Sequence, residues 1–178
     1  NPAPDVSNSF NVLGMYTVLV QSAYGTAEPA TGEYVHVGGC VITNSIQTPD
    51  TRDTTQYVCN GWTMTGNEPA SGTDTRCVMT VTNSAVLTWG WTTQYWLDTA
   101  AGPAGSVNVG DGWQDAGVTT QITATANGYY HFTNWTGGVD SYDNPLDLLV
   151  DGPKAVTANF AANWTTNKPT PEWWLAQY

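Results

Sequence analysis

One series of glycine and aromatic landmarks occurs twice along this chain of 178 residues, in the same order each time. Two glycine pairs are separated by 80 residues, and the two aromatic pairs are separated by 73 and 69 residues. A fixed order with a drifting offset is typical of a tandem duplication with insertions and deletions in its loops. We therefore expect two related modules. The paired positions are Gly25 and Gly105, Gly32 and Gly112, Trp62 and Trp135, and Trp91 and Phe160.

The landmarks divide the chain into four parts. Residues 1–14 form a leader, in which two prolines and a polar cluster favour extended backbone. Residues 15–92 form the first β repeat module and residues 93–162 the second. Residues 163–178 comprise a polar linker and the start of a short helix.

Glycine and proline, at 18 and 10 residues, interrupt the chain too often for long helices. The stretches between them are β-branched and aromatic, and they alternate with a period of two residues. The predicted fold is therefore all-β, with two tandem small modules of the β-sandwich or β-grasp-like type. At the C-terminal end, Thr170 is the expected N-cap of the short helix and Pro171 its first residue.

Aromatic side chains replace the aliphatic core of an ordinary domain. Charged residues make up only 11% of the chain, whereas it contains nine tryptophans and nine tyrosines. Each of these rings can bury on the order of 150–250 Å². The landmark aromatic residues are therefore expected to anchor the two cores. These anchors are Trp62, Trp135, Tyr57, Phe132 and Phe160.

The junction between the modules has two interpretations. Residues of one parity, from Leu87 to Leu97, continue the same alternation across the boundary, so one extended segment can serve both modules as a rigid junction without a flexible linker. Trp96 is out of phase with this pattern. The alternative is therefore two strands separated by a sharp turn at Thr92 and Thr93.

Charge and hydropathy exclude several classes of partner. Four lysines and arginines against fifteen acids give a net charge of −11, so the chain cannot present the basic stripe that nucleic acid requires. No apolar run approaches the ~20 residues of a membrane span. The opening at Asn1, without an initiator methionine, predicts a processed product or a fragment. The acidic, lysine-poor surface favours an extracellular or cell-surface protein.

The order of the landmarks resembles the divergent internalin B-repeat-like family, a "bacterial repeat" module of large secreted or surface proteins. The resemblance covers residues 15–161, and the first module matches a longer variant through its segment Tyr57-Val58-Cys59-Asn60-Gly61-Trp62-Thr63. The motifs of the second module include Gly105-Ser106-Val107, Gly112-Trp113, Gln121-Ile122-Thr123-Ala124, Trp135-Thr136-Gly137 and Val156-Thr157-Ala158-Asn159-Phe160.

The resemblance implies a compact β module that serves as a spacer, stalk or adhesive surface, has neighbouring repeats as partners and contains no catalytic residues. Three cysteines allow three single pairings by their positions alone. The related longer modules favour a disulfide between Cys40 and Cys59. Cys77 is then expected to be a free, buried thiol.

Two weaker candidate sites remain. A polysaccharide platform needs several aromatic rings on one exposed face, although packing in a core or junction is the favoured role for the internal tryptophans. A calcium site needs clustered oxygen ligands, but the aspartates of the second module match no known ligand loop, so we expect no cofactor. The platform candidates are Trp89, Trp91, Trp96, Trp113, Trp173 and Trp174, and the aspartates are Asp140, Asp143, Asp147 and Asp151.

Catalysis is not expected, because the acids lie in turn-like contexts that would not raise a pKa, and His36 and His131 are each flanked by aromatic strand residues without a nucleophile elbow. The predicted function is a non-catalytic extracellular structural repeat that forms a stalk, surface layer or fibre. A leader segment such as Ser7 to Leu13 can add a strand to another copy and so build a homo-oligomer or homopolymer. The alternative is a glycan-binding or cell-surface-binding adhesion module.

Overall fold

A computed structural model describes residues 14–166 and 169–177 of the chain. The prediction of an all-β fold with one short helix is confirmed, since the described residues form sixteen strands and a single helix. The leader strand predicted at Ser7 to Leu13 lies outside the described residues. The strands are β1 Met15–Gln21, β2 Thr26–Glu28, β3 Gly32–Val37, β4 Val41–Gln47, β5 Asp50–Arg52, β6 Thr55–Thr65, β7 Ser71–Gly72, β8 Arg76–Thr80, β9 Ala85–Ala101, β10 Gly105–Val107, β11 Gly112–Asp115, β12 Thr119–Ile122, β13 Ala124–Ala126, β14 Tyr130–Gly137, β15 Leu146–Leu149 and β16 Lys154–Ala162.

The chain divides into two compact units. Unit 1 runs to Asp50 and resumes over Val58–Trp91, whereas unit 2 comprises Thr51–Tyr57 and the chain from Thr92 onward. The predicted boundaries assign Thr51–Tyr57 to the first module, whereas its contacts group it with unit 2, and we call it the exchanged segment. The spacing of landmarks in the sequence cannot show this grouping, because it depends on which residues lie close to the segment in the folded chain.

Two hydrogen bonds fix this exchanged segment in unit 2. The backbone N–H of Trp96 donates to the carbonyl oxygen of Thr54 at 2.9 Å. The side-chain amide of Gln56 donates to Oε1 of Gln94 at 2.6 Å. Thr51–Tyr57 is therefore held to unit 2 by hydrogen bonds.

Unit 1 is built from two groups of paired strands around one core. β1 pairs with β3 in the antiparallel sense and with the start of β9 in the parallel sense, while β4 lies between β2 and β8. Alternate side chains of these strands face the same interior, as expected for strands with one buried face. The largest core residues are Val18, Val20, Ile46, Trp62, Met64, Cys77, Met79, Val81, Leu87 and Trp89.

Unit 2 repeats this scheme with other strands. The end of β9 pairs with β11 in the antiparallel sense and with β16 in the parallel sense, and β16 pairs with β14. The short pairs β12 with β15 and β10 with β13 correspond to β4 with β8 and β2 with β4. The core residues are Leu97, Ile122, Ala124, Trp135, Leu146, Leu148, Val156 and Ala158.

The duplicated landmarks occupy equivalent places in the two units. A Cβ atom added to Gly25 would lie 2.5 Å from the Trp91 ring, and one added to Gly105 would overlap the Phe160 ring. In each unit, therefore, the aromatic residue of the closing strand covers a glycine that has no room for a side chain. This contact, present in both units, explains why the same glycine and aromatic landmarks occur twice in the sequence.

The strand β9 runs from Ala85 to Ala101 without interruption. Thr92 and Thr93 lie inside it, so the sharp turn considered for these two residues is not formed. Leu87 and Leu97, which share one parity, are both buried, each in the core of its own unit. The backbone is therefore extended from Ala85 to Ala101.

The helix α1 spans Glu172–Leu175 and begins one residue later than predicted. Its N-cap is Pro171, not Thr170, and no side chain caps it. The reason is that Pro171 has extended backbone and forms a bridge with Trp164, while the Thr170 carbonyl accepts a hydrogen bond from the Thr165 N–H. No helix in the described residues has the length and hydropathy to cross a membrane.

Candidate functional site

The two landmark tryptophans lie inside the two cores. Trp62 of β6 is buried in unit 1, and Trp135 of β14 is completely buried in unit 2. The indole N–H of Trp135 donates to the carbonyl oxygen of Asp143 at 2.9 Å. Phe132 packs against it at a ring separation of 5.4 Å, and Phe160 follows Phe132 at 6.2 Å.

Tyr57 differs from the other proposed anchors in its position. It lies in the exchanged segment of unit 2 and is half-buried. The guanidinium carbon of Arg52 stands 5.5 Å from the centre of its ring, which is the geometry of a cation–π contact. Tyr57 therefore packs at the periphery, whereas Trp62 packs at the centre of unit 1.

Four of the platform candidates pack against protein. Trp89 is buried in the core of unit 1, so a ligand cannot reach either face of its ring. It is therefore not a binding residue. Trp91 donates its indole N–H to Ser22 at 3.1 Å and meets Tyr24 edge-on. Trp96 and Trp113 form an edge-on pair in unit 2, with 5.3 Å between ring centres.

The remaining tryptophans lie on the tail and are exposed. Trp173 is 37% exposed and Trp174 is 44% exposed, and Trp164, which the sequence analysis did not single out, is 57% exposed. We call these three residues the tail tryptophans. The exposure of Trp164 could have been predicted from the sequence, because its neighbours in the linker are polar.

The tail is attached to the start of β14 through Asn163. The N–H of Asn163 donates to the Tyr129 carbonyl at 2.8 Å, and its side-chain oxygen lies 2.9 Å from Nδ1 of His131. The Asn163 carbonyl accepts the N–H of Glu172 at 3.0 Å. The tail tryptophans are therefore presented by a segment with defined hydrogen bonds to unit 2.

The predicted disulfide between Cys40 and Cys59 is wrong, since all three cysteines are free thiols. Cys40 immediately precedes β4, whereas the N–H of Cys59 donates to Oγ1 of Thr48, just beyond the other end of β4. A strand of seven residues spans about 23 Å. A disulfide requires Cα atoms within roughly 7 Å, so these two residues cannot be bridged.

Cys77 is expected to resist alkylation in the folded chain. Burial raises the pKa of its thiol to about 11, so at pH 8 the reactive thiolate is about a hundredfold rarer than in an ordinary exposed cysteine. Alkylation with iodoacetamide followed by mass spectrometry should label Cys77 at least about a hundredfold more slowly than an unstructured thiol. Full labelling in denaturant is the control, and rapid native labelling would contradict the buried position.

The same pKa predicts a pH dependence of stability. The native state keeps the Cys77 proton at a pH where the unfolded state has lost it, so unfolding becomes easier as pH rises from 9.0 towards about 11. A serine variant of Cys77 should show a smaller loss of stability over that interval, in denaturant titrations at fixed pH.

The aspartates considered for calcium are not brought together. Oδ1 of Asp147 accepts a hydrogen bond from Gln121 at 2.9 Å, and Asp151 forms an ion pair with Lys154 at 2.6 Å. The hydrogen bond and the charge of Lys154 lower the pKa of Asp151. Within residues 14–166 and 169–177, no three histidine, cysteine or acidic side chains converge in a way that could hold a metal ion.

Shallow grooves occur on unit 1. One of about 610 Å³ is lined by β1, β9 and the turn before β3, and none of its side chains is titratable. Three others contain one carboxylate each, from Glu68 or Glu33. These grooves therefore lack the pair of facing acids that glycoside hydrolysis uses.

A comparison with protein families gives a match within the second unit. Residues 95–164 match the model of the divergent InlB B-repeat domain, which confirms the resemblance for this stretch. Domains of this kind are typical of bacterial surface proteins, as repeat modules of larger chains. No curated protein and no solved structure gives a significant match. The equivalence of the first unit rests on the repeated strand scheme and landmark contacts described above.

Proposed function

We propose that this chain, whose residues 95–164 form a divergent InlB B-repeat domain, is a non-catalytic structural segment of a larger extracellular bacterial protein. Its modules build a stalk, surface layer or fibre, and copies of the chain assemble with one another. Neighbouring repeats of the same protein are its first partners.

The main support is the use that the molecule makes of its aromatic residues. In both units the landmark tryptophan fills the core, and a second ring covers the landmark glycine. A sugar-binding site needs aromatic rings that face a ligand, and the landmark rings of both units pack inside the protein instead. The grooves described on unit 1 contain at most one carboxylate each.

The strand β9 supports the stalk in particular. The chain leaves unit 1 and enters unit 2 inside this strand, with no irregular segment at Thr92 and Thr93. Flexible linkers are typically rich in glycine and serine and lack such pairing. A paired strand in place of such a linker supports the stalk proposal.

The full chain is expected to assemble as its concentration rises. Sedimentation velocity should show a shift from single chains to larger species, and electron micrographs of the concentrated protein should show filaments or layers. Polysaccharides added to the same sample should leave the tryptophan fluorescence unchanged. A chain that stays monomeric at every concentration, both alone and within a longer protein, would rule out the assembly function.

The tail tryptophans favour a second candidate function, the binding of a glycan. Exposed indole rings stack on sugar rings, and the exposed rings of Trp164, Trp173 and Trp174 follow one another along the tail. In that case a soluble polysaccharide should shift the fluorescence, and the double substitution Trp173→Ala and Trp174→Ala should abolish the shift. The substitution Trp113→Ala, in a packed pair of unit 2, is the matched control.

A further inference from the structure

The strand β3 has one partner strand in the described part of the chain. It pairs with β1 over six residues, from Gly32 opposite Val20 to Val37 opposite Met15. On its other side, the only backbone bond described is the turn bond in which the Val37 carbonyl accepts the N–H of Cys40. Most of the outer N–H and C=O groups of β3 are therefore available to another strand.

Other sheet edges in the described residues are short or covered. β2 has only three residues. On β8, the carbonyl of Thr80 accepts the side-chain amide of Asn67 at 2.8 Å. On β14, Trp135 and Ser141 exchange two backbone hydrogen bonds. Compared with these edges, β3 offers a longer run of backbone groups without such a cover.

The sheet face beside the C-terminal half of this edge is apolar and exposed. Val35 of β3 and Met15 of β1 are each 61% exposed, and Val37, directly opposite Met15, is also exposed. Soluble proteins usually protect an edge strand with charged residues, proline or a bulge. On β3 the exposed positions are Glu33, Val35 and Val37, so the charge lies at the start of the strand, and the C-terminal half of the edge is suited to pairing with another apolar strand.

The leader contains an uncharged segment with alternating apolar residues, which suits it to pair with this edge. From Val6 to Leu13 it carries no charge, and Phe10 and Val12 are two residues apart, as are Val35 and Val37 on β3. We propose that the outer edge of β3 accepts residues 7–13 of a second copy as an added strand. The inference rests on the proposed assembly function and identifies the two surfaces that assembly joins.

Geometry excludes the leader of the same copy as this strand. If residues 7–13 paired along β3, only Gly14 would separate them from Met15, the first residue of β1. A strand added outside β3 lies two strand spacings from β1, about 9.5 Å. Two peptide steps, from Leu13 to Met15, reach at most about 7 Å. The donor is therefore a second copy.

The first experiment places a charge on each surface in turn, in the full chain. The pair Phe10→Asp and Val12→Asp alters the donor, and the pair Val35→Lys and Val37→Lys alters the acceptor. Each is expected to raise the concentration needed for assembly, measured by sedimentation velocity, at least tenfold. Matched controls are Ser9→Asp with Asn11→Asp on the other leader parity and Val41→Lys, which is 66% exposed on β4. The controls should change assembly much less.

Complementation tests the direction of the contact. A donor variant still has an intact β3, and an acceptor variant still has an intact leader. Mixing the two should therefore give one-to-one dimers without longer species. A chain that combines the leader aspartates with the β3 lysines should recover part of its assembly, because opposite charges then face each other across the added strand.

Addition of a synthetic peptide tests the edge separately from assembly. A peptide of residues 1–14 added to the donor variant should slow hydrogen exchange at the amides of β3 and leave β8 unchanged. If copies assemble but the leader variants assemble like the wild type, the inference fails and the proposed function stands. If copies never assemble, the proposed function fails. Absence of protection at β3 with the peptide in excess overturns the inference in either case.

Discussion

Replacing Trp135 by alanine is expected to lower the free energy of unfolding of unit 2 by about 3–5 kcal/mol. The ring is fully buried, packs against Phe132 and lies among the residues of the second core. Alanine leaves a cavity that neighbouring strands can fill only in part, and it leaves the Asp143 carbonyl without the indole N–H. The measurement is urea unfolding of the full chain, with hydrogen exchange of β14 and β16 reporting on unit 2.

The control for this prediction is Trp164→Ala in the same unit. Trp164 is the most exposed tail tryptophan, so its removal should change the free energy of unfolding by less than about 1 kcal/mol. The variant Trp135→Phe should fall between the two, because it keeps a ring but loses the hydrogen bond. Equal effects of Trp135→Ala and Trp164→Ala would show that the landmark tryptophan is not the centre of the core.

The sequence predicted those features of the fold that depend on local alternation and on paired landmarks. Alternation gives the faces of a strand, so the all-β class followed from it. The burial of Trp89 was also available from alternation, because Trp89 shares its parity with Leu87. The glycine and aromatic pairs were visible because each unit uses one ring to cover one glycine, as Gly25 and Trp91 show.

Partners in space could not be predicted in this way. Alternation specifies which face of a strand is buried but not which strand lies beside it, so the parallel pairing of β9 with β1 and β16 was not predicted. The same limit explains the disulfide error, since chain spacing could not show that β4 separates Cys40 from Cys59. For β3, both parities contain apolar or aromatic residues, so the exposure of Val35 was not evident.

Replacing Gly61 by alanine is expected to destabilise unit 1 by about 3 kcal/mol or more. Gly61 has a φ of 116°, a conformation that L side chains rarely adopt. A Cβ atom there would also overlap the carbonyl oxygen of Gly72 and lie 2.8 Å from Cα of Thr73. These are backbone atoms of the segment that pairs with β6 beside Trp62, so they can move only if that pairing opens.

Gly39→Ala separates the two causes of this destabilisation. Gly39 has a φ of 86°, but a Cβ atom there would meet no atom within 4 Å, so alanine introduces backbone strain alone, worth about 1–2 kcal/mol. Urea unfolding of both variants, followed by hydrogen exchange at Trp62 and Met64, measures the difference. If Gly61→Ala lowers the free energy of unfolding no more than Gly39→Ala does, then β7 can move away from the new Cβ atom without destabilising unit 1. The close approach of Gly72 then does not hold β6 in place. A larger loss for Gly61→Ala, with faster exchange at Trp62, means that this glycine is required because two backbones meet there beside the central ring of unit 1.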